Sequence, residues 1–229
     1  MRSIFRAAGA ESRSWPYVAP FVLYLALMAV SSYFPSKAGI LYPLRVVLVT
    51  ATLLWWSRSL LRLKPSRWGA SVLIGAAVFV IWIGPDLLWP SYRSRWMFLS
   101  QIPGGAAPSI PAVDRTGFVY LFWRVIGSAG LVPIIEELFW RAWLMRYLIS
   151  PDFSTVPLGT YAAWAFWITA VLFASEHGQY WDVGLVAGVV YNWWMIRTRN
   201  LADCVLAHAV TNACLAAYVI LAGQWQYWP

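Results

Sequence analysis

The chain has 229 residues, of which 61% are hydrophobic and only 11% charged, less than half the roughly 25% charged content of a soluble domain. Mean hydropathy is +0.60, and apolar runs of about 18 residues recur, the length that crosses ~30 Å of hydrocarbon; this excludes a soluble globular enzyme, a disordered protein and a nucleic-acid-binding domain. The net charge of +8 requires no nucleic-acid partner, because Lys and Arg fall mostly in short segments between apolar runs, where they set membrane topology.

Taken in chain order, the first expected span runs from about Tyr17 to Phe34, after Arg2, Arg6 and Arg13. Its length and the spans that follow make it an uncleaved anchor rather than a signal peptide. The second covers Ile40 to Ser57 and is interrupted by Pro43 and Arg45. The third covers Gly69 to Trp89, with Gly84-Pro85 as a kink point. A Pro/Gly-rich loop follows from Pro90 to Arg115, and then a long helical stretch from Thr116 to Ile149. Gly127, Gly130 and Pro133 make that stretch two helices or one broken helix. The last spans are Leu158 to Glu176, Val183 to Ile196 and Ala202 to Ala222. The expected fold is all-α: a polytopic transmembrane helical bundle of about seven or eight spans. Residues 1–229 form one integral membrane domain with no internal repeat. With seven crossings, the N-terminal arginines, the Arg58/Arg62/Lys64/Arg67 cluster and Arg197/Arg199 share one face. The positive-inside rule makes that face, and the N-terminus, cytoplasmic. Cys204 and Cys214 are ten helical residues apart, ~15 Å, beyond disulfide reach.

The informative residues are polar groups inside these apolar runs. A charge at mid-span costs about 2.5–3.5 kcal/mol on insertion scales and is a functional-site candidate by default. Glu136 and Glu137 are adjacent within LVPIIEELFWRAWLM, and Arg141 follows Glu137 by four. That spacing lets Glu137 and Arg141 pair on one helical face, and such a pair can be structural. Glu136 is turned ~100° away and has no such partner, so it is free for chemistry. Both histidines of the chain lie at or within apolar spans. Phe173 stands four before His177, and Asn212 four after His208, so each pair shares a helical face. Glu176 reads as a span-end residue.

In order, Glu136-Glu137-xxx-Arg141, Phe173-xxx-His177 and His208-xxx-Asn212 resemble the EExxxR, FxxxH and HxxxN motifs of the CPBP family of intramembrane proteases. That family includes the type II CAAX prenyl endopeptidases. The resemblance covers about Leu131 to Leu215 within a motif-bearing core of residues 116–222. The chain is also similar to a bacterial subgroup found beside exosortase/PEP-CTERM sorting systems. It departs from the family at Ala142, where a glycine usually follows the arginine. The resemblance implies a glutamate-dependent endopeptidase of a bacterial inner (cytoplasmic) membrane. Glu136 and His177 would activate water, and His208 and Asn212 would stabilise the oxyanion. Glu137, Arg141 and Phe173 would support the site. The implied partners are the bilayer and a membrane-embedded or membrane-tethered peptide or protein. No cofactor is implied.

Three other functions use the same residues. Two histidines and a glutamate can ligate zinc; intramembrane Glu and His can form the proton relay of a transporter; and a silent scaffold could keep the fold alone. One geometric question follows. His208 would enter from the membrane face opposite to His177 if the span between them crosses fully. The site must then lie inside the membrane, or that span must be short and re-entrant.

Overall fold

The computed structural model describes residues 2–99, 115 and 117–228, with side chains from Ser14 onward and none at Leu99. The side chains of Arg2, Arg6 and Arg13, and residues 100–114 of the expected loop, lie outside it. Among the described residues the protein is helical and has no strand.

Seven helical stretches carry the fold. They are α1 (Arg2–Ser32), α2 (Ala38–Trp56), α3 (Trp68–Leu88), α4 (Phe118–Ile149), α5 (Ala163–Ser175), α6 (Trp181–Thr198) and α7 (Leu201–Ala222). Five of them, all but α5 and α6, are long and apolar enough to cross a membrane. The other two fall short of that criterion for different reasons. Helix α5 has 13 residues, ~20 Å of rise, and α6 interrupts its apolar surface with Asp182, Asn192 and Arg197. The chain is an integral membrane protein built as an all-α bundle.

Hydrogen bonds between helix ends show that the stretches alternate in direction. On one face the Ser57 hydroxyl, after α2, donates to the Pro16 carbonyl of α1. Asn200, before α7, donates to the Lys64 carbonyl before α3 at 3.1 Å. Buried Asp203 at the start of α7 accepts from the Arg67 backbone N–H (2.8 Å) and the Ser66 and Ser71 hydroxyls. Asp203 thereby satisfies a donor at the start of α3 that its own helix cannot serve. On the opposite face Arg93, after α3, pairs with Asp86 and with Asp182 of α6. The Tyr180 hydroxyl there donates to the Gln226 carbonyl beyond α7 at 3.0 Å.

Helix α4 answers the expectation of a broken stretch: it is continuous but passes through two π-helical segments, Ile126–Leu131 and Leu138–Leu144. Such wider turns recur at functional sites. The first has a cause in the sequence. The Val132 N–H bonds to the Gly127 carbonyl, five residues back, and in that register the next donor would serve Ser128. The next residue is Pro133, which has no N–H. Asn212 of α7 supplies the missing donor, its amide donating to the Ser128 carbonyl at 2.8 Å.

Close helix approach depends on small residues. A Cβ at Gly75 on α3 would collide with the Ala207 carbonyl of α7. The backbone of α6 rests on the His177 ring at Gly184 and on Phe173 at Gly188. This is the small-residue packing by which membrane helices bring polar groups together. Arg45 is buried between the Tyr24 and Tyr42 rings, 4.9 and 4.7 Å from their centres, so aromatic faces carry the charge that interrupts α2.

Candidate active site

Glu136 and Glu137 end the short α-helical turn Val132–Glu137 that separates the two π segments of α4. Glu137 is 0% exposed, as is Arg141, and the two form a 3.1 Å ion pair. The expected i,i+4 pairing is therefore present. Arg141 also donates to the Asn192 side-chain oxygen (3.0 Å) and the Gly188 carbonyl (3.4 Å), both on α6. Its guanidinium also lies 4.4 Å from the centre of the Phe173 ring. Asn192 in turn donates to the Phe166 carbonyl of α5 at 2.8 Å. One arginine thus ties α4, α5 and α6 together inside the bundle.

His208 meets this pair. Its Nδ1 is 2.9 Å from Oε1 of Glu137, the same oxygen that Arg141 holds. The ring stacks on Tyr191 at 5.1 Å. The Tyr191 hydroxyl donates to Thr211 (2.7 Å), which is also 2.8 Å from the Gly75 carbonyl of α3. The motif residues of α4 and α7 are thereby brought together. Helix α6 has 18 residues, and His208 lies in the eighth position of α7, ~10 Å along it. The polar residues meet inside the bundle.

His177 occupies the turn after α5. Its Nδ1 contacts the Phe173 carbonyl at 2.7 Å. A carbonyl can only accept, so Nδ1 carries the proton and Nε2 presents a lone pair. Gly178 follows with φ +54°, a left-handed conformation that glycine adopts without a Cβ clash, and the chain reverses there into α6. The imidazole is packed by Phe173 (4.7 Å) and by the edge of Trp82 on α3 (5.1 Å). Phe173 also contacts the His208 ring at 6.0 Å, so this one aromatic residue separates and orients both histidines and the arginine.

Glu136 is different. It is buried, its Oε2 has no hydrogen-bond partner, and it makes no ion pair among the described residues. One turn on, Trp140 donates its indole N–H to Glu176 at 3.1 Å. Glu176, Glu137 and Arg141 are the charged neighbours that Glu136 feels. The site therefore holds two carboxylates committed to donors, Glu137 and Glu176, and one that is not.

The structure joins Glu137, Arg141 and His208 directly and gathers Phe173 and His177 against them. Asn212 is engaged with the α4 backbone rather than with another motif side chain. Glu176, Asn192, Tyr191 and Trp82 belong to the same cluster and were not expected. Asn192 was detectable as a lone amide within an apolar helix. Glu176 could be suspected only from its place beside His177. Among the described residues no three His, Cys, Asp or Glu side chains converge as a cage for a metal ion.

No curated protein and no solved structure matches the chain. A family model does: that of the type II CAAX prenyl endopeptidase Rce1-like proteins, over residues 118–214. The matched segment runs from the start of α4 to within α7 and contains all three motifs. Over that segment the chain is similar to the type II CAAX prenyl endopeptidase Rce1-like family, in agreement with the resemblance of its three motifs to the CPBP family.

Proposed function

We propose that the chain is an intramembrane endopeptidase that hydrolyses a peptide bond of a membrane-embedded or membrane-tethered protein, with Glu136 as general base. The observation that carries this reading is the buried Glu136 carboxylate, which among the site's acids has no donor to neutralise it from the described residues, unlike Glu137 and Glu176. Such a group can accept a proton from water at the reacting carbon. The free Nε2 of His177 would share that proton. At His208, Nδ1 donates to the Glu137 carboxylate, so Nε2 could donate to a developing oxyanion only from the imidazolium form, which the same carboxylate would stabilise. The second amide N–H of Asn212 would join it. We place the basic face, with the N-terminus, in the cytoplasm. The test is a cleavage assay on purified, reconstituted protein with a membrane-anchored peptide: wild type releases a fragment and Glu136→Gln does not.

The two histidines are expected to differ. His208→Gln should keep measurable activity, in line with the roughly 10²–10³-fold cost of one lost oxyanion donor. His177→Gln should lose more, because an amide cannot take up a proton, and the pH–rate profile should lose one limb only in that variant. Equal losses with unchanged profiles would reverse the assignment of roles.

Metal dependence is a separate measurement. Protein purified without added zinc should contain far less than one zinc per chain and remain active in chelator. Stoichiometric zinc, with activity lost on chelation and restored by its return, would replace the glutamate mechanism by a metal one.

A further inference from the structure

At the basic face, away from the motif residues' own side chains, a cavity of about 610 Å³ opens among the ends of α1, α4, α6 and α7 and the connection between α2 and α3. Arg62, Arg146 and Arg199 line it, together with the polar groups of Ser59, Asn200 and Tyr17. None of its described lining residues is acidic. Arg62 and Arg199 are exposed and make no ion pair among the described residues.

Arg146 is the unusual member. It is buried, yet no carboxylate pairs with it among the described residues. Its Nε donates to the Ala142 carbonyl and its Nη1 to the Val156 carbonyl at 3.2 Å. The Phe153 ring lies 5.1 Å from the guanidinium. Nη2 makes no hydrogen bond among the described residues. A buried cation is ordinarily matched by an anion. The cation is therefore held in place by carbonyls and rings, and its own charge is unanswered.

The level of the cavity in the bilayer identifies what would answer it. Trp15, at the start of the apolar stretch Ser14–Ser32 of α1, and Trp56 and Trp68, at the corresponding ends of α2 and α3, are all more than half exposed. Exposed tryptophans at helix ends lie at the headgroup level, so the cavity opens where lipid phosphates are. Its floor is apolar, formed by Leu138 and Ala142 of α4, and its polar rim is cationic. Arginine forks match phosphate oxygens in pairs, and basic pockets between membrane helices bind anionic headgroups. We propose that this cavity binds the phosphate-bearing headgroup of an anionic phospholipid. Leu138 and Ala142 flank Glu137 and Arg141 in sequence, so the bound lipid would brace the turn of α4 that carries the buried ion pair.

The experiment is native mass spectrometry and thermal melting of the delipidated full chain with phosphatidylglycerol, phosphatidylcholine or inorganic phosphate. Phosphatidylglycerol should be retained at one per chain and raise Tm; phosphatidylcholine should do neither. Arg62→Gln with Arg199→Gln, both at exposed positions that leave the fold intact, should weaken retention by about tenfold for each arginine, the worth of one charge-assisted hydrogen bond. Arg146→Met should weaken it further if that variant folds. Equal retention of phosphatidylcholine, or unchanged retention of phosphatidylglycerol in the double variant, overturns the proposal. A rise in Tm with inorganic phosphate as large as with the lipid also overturns it, because the cavity would then take a free anion. None of these readouts depends on proteolysis.

Discussion

Glu136→Gln is expected to lower cleavage of a membrane-anchored peptide by about 10³-fold or more, the upper part of the range for a positioned general base, with no fall in Tm. The substitution keeps the volume of the side chain. Among the described residues Glu136 makes no ion pair and its Oε2 no hydrogen bond that an amide would forfeit. Replacing a buried, unpartnered carboxylate by a neutral group also removes a desolvation penalty, so the variant should melt at or slightly above the wild-type temperature. Loss of activity with retained stability is the signature of a catalytic group and not of a packing residue. Activity within tenfold of wild type would show that Glu136 is not the base, and a large drop in Tm would show that it is held by contacts that the structure does not contain.

Arg141→Ala is expected to act in the opposite way, lowering stability and activity together. It removes the donors to Glu137, Asn192 and Gly188 at once, and breaking one side of a buried pair costs about 3–5 kcal/mol. Glu137→Ala should cost a similar amount, because it strands Arg141 and releases His208. The double variant should cost clearly less than the sum, since neither charge is then left alone. Arg141→Lys should rescue little: a single ammonium cannot reach an amide oxygen, a carbonyl and a carboxylate that lie in three directions. Additive losses in denaturant or thermal unfolding would mean that the two residues do not act as a pair.

Much of this site is legible in the amino-acid sequence, and the reason is the solvent. In hydrocarbon each polar side chain demands a partner, so Glu137, Arg141, His208 and Asn212 stand out from the apolar background, and i,i+4 spacing alone pairs Glu137 with Arg141. Contacts made across helices are not legible in the same way. Nothing in one sequence says that His208 shares an oxygen of Glu137, because that contact depends on how α7 lies against α4. Tyr191 and Trp82 are hidden for another reason: aromatic residues are so frequent, with 17 Trp and 12 Tyr, that composition cannot separate a ring packed on a histidine from one facing lipid. The two π segments are foreshadowed only as a break. Glycine and proline mark where a helix is weak, but its direction beyond that point is set by what binds the freed carbonyl.

That carbonyl also bears on how the protein is made. A chain leaving the ribosome delivers α4 to the membrane well before α7, and until α7 arrives the Ser128 carbonyl, left open by Pro133, has no Asn212 to answer it. The same late helix brings His208 to Glu137. Biogenesis thus has an order written into it: the segment bearing Glu136 is inserted incomplete, and α7 both closes its backbone and brings His208 to Glu137. On the proposed mechanism, a chain stalled before α7 would hold Glu136 without His208 and Asn212, so hydrolysis would have to wait for α7.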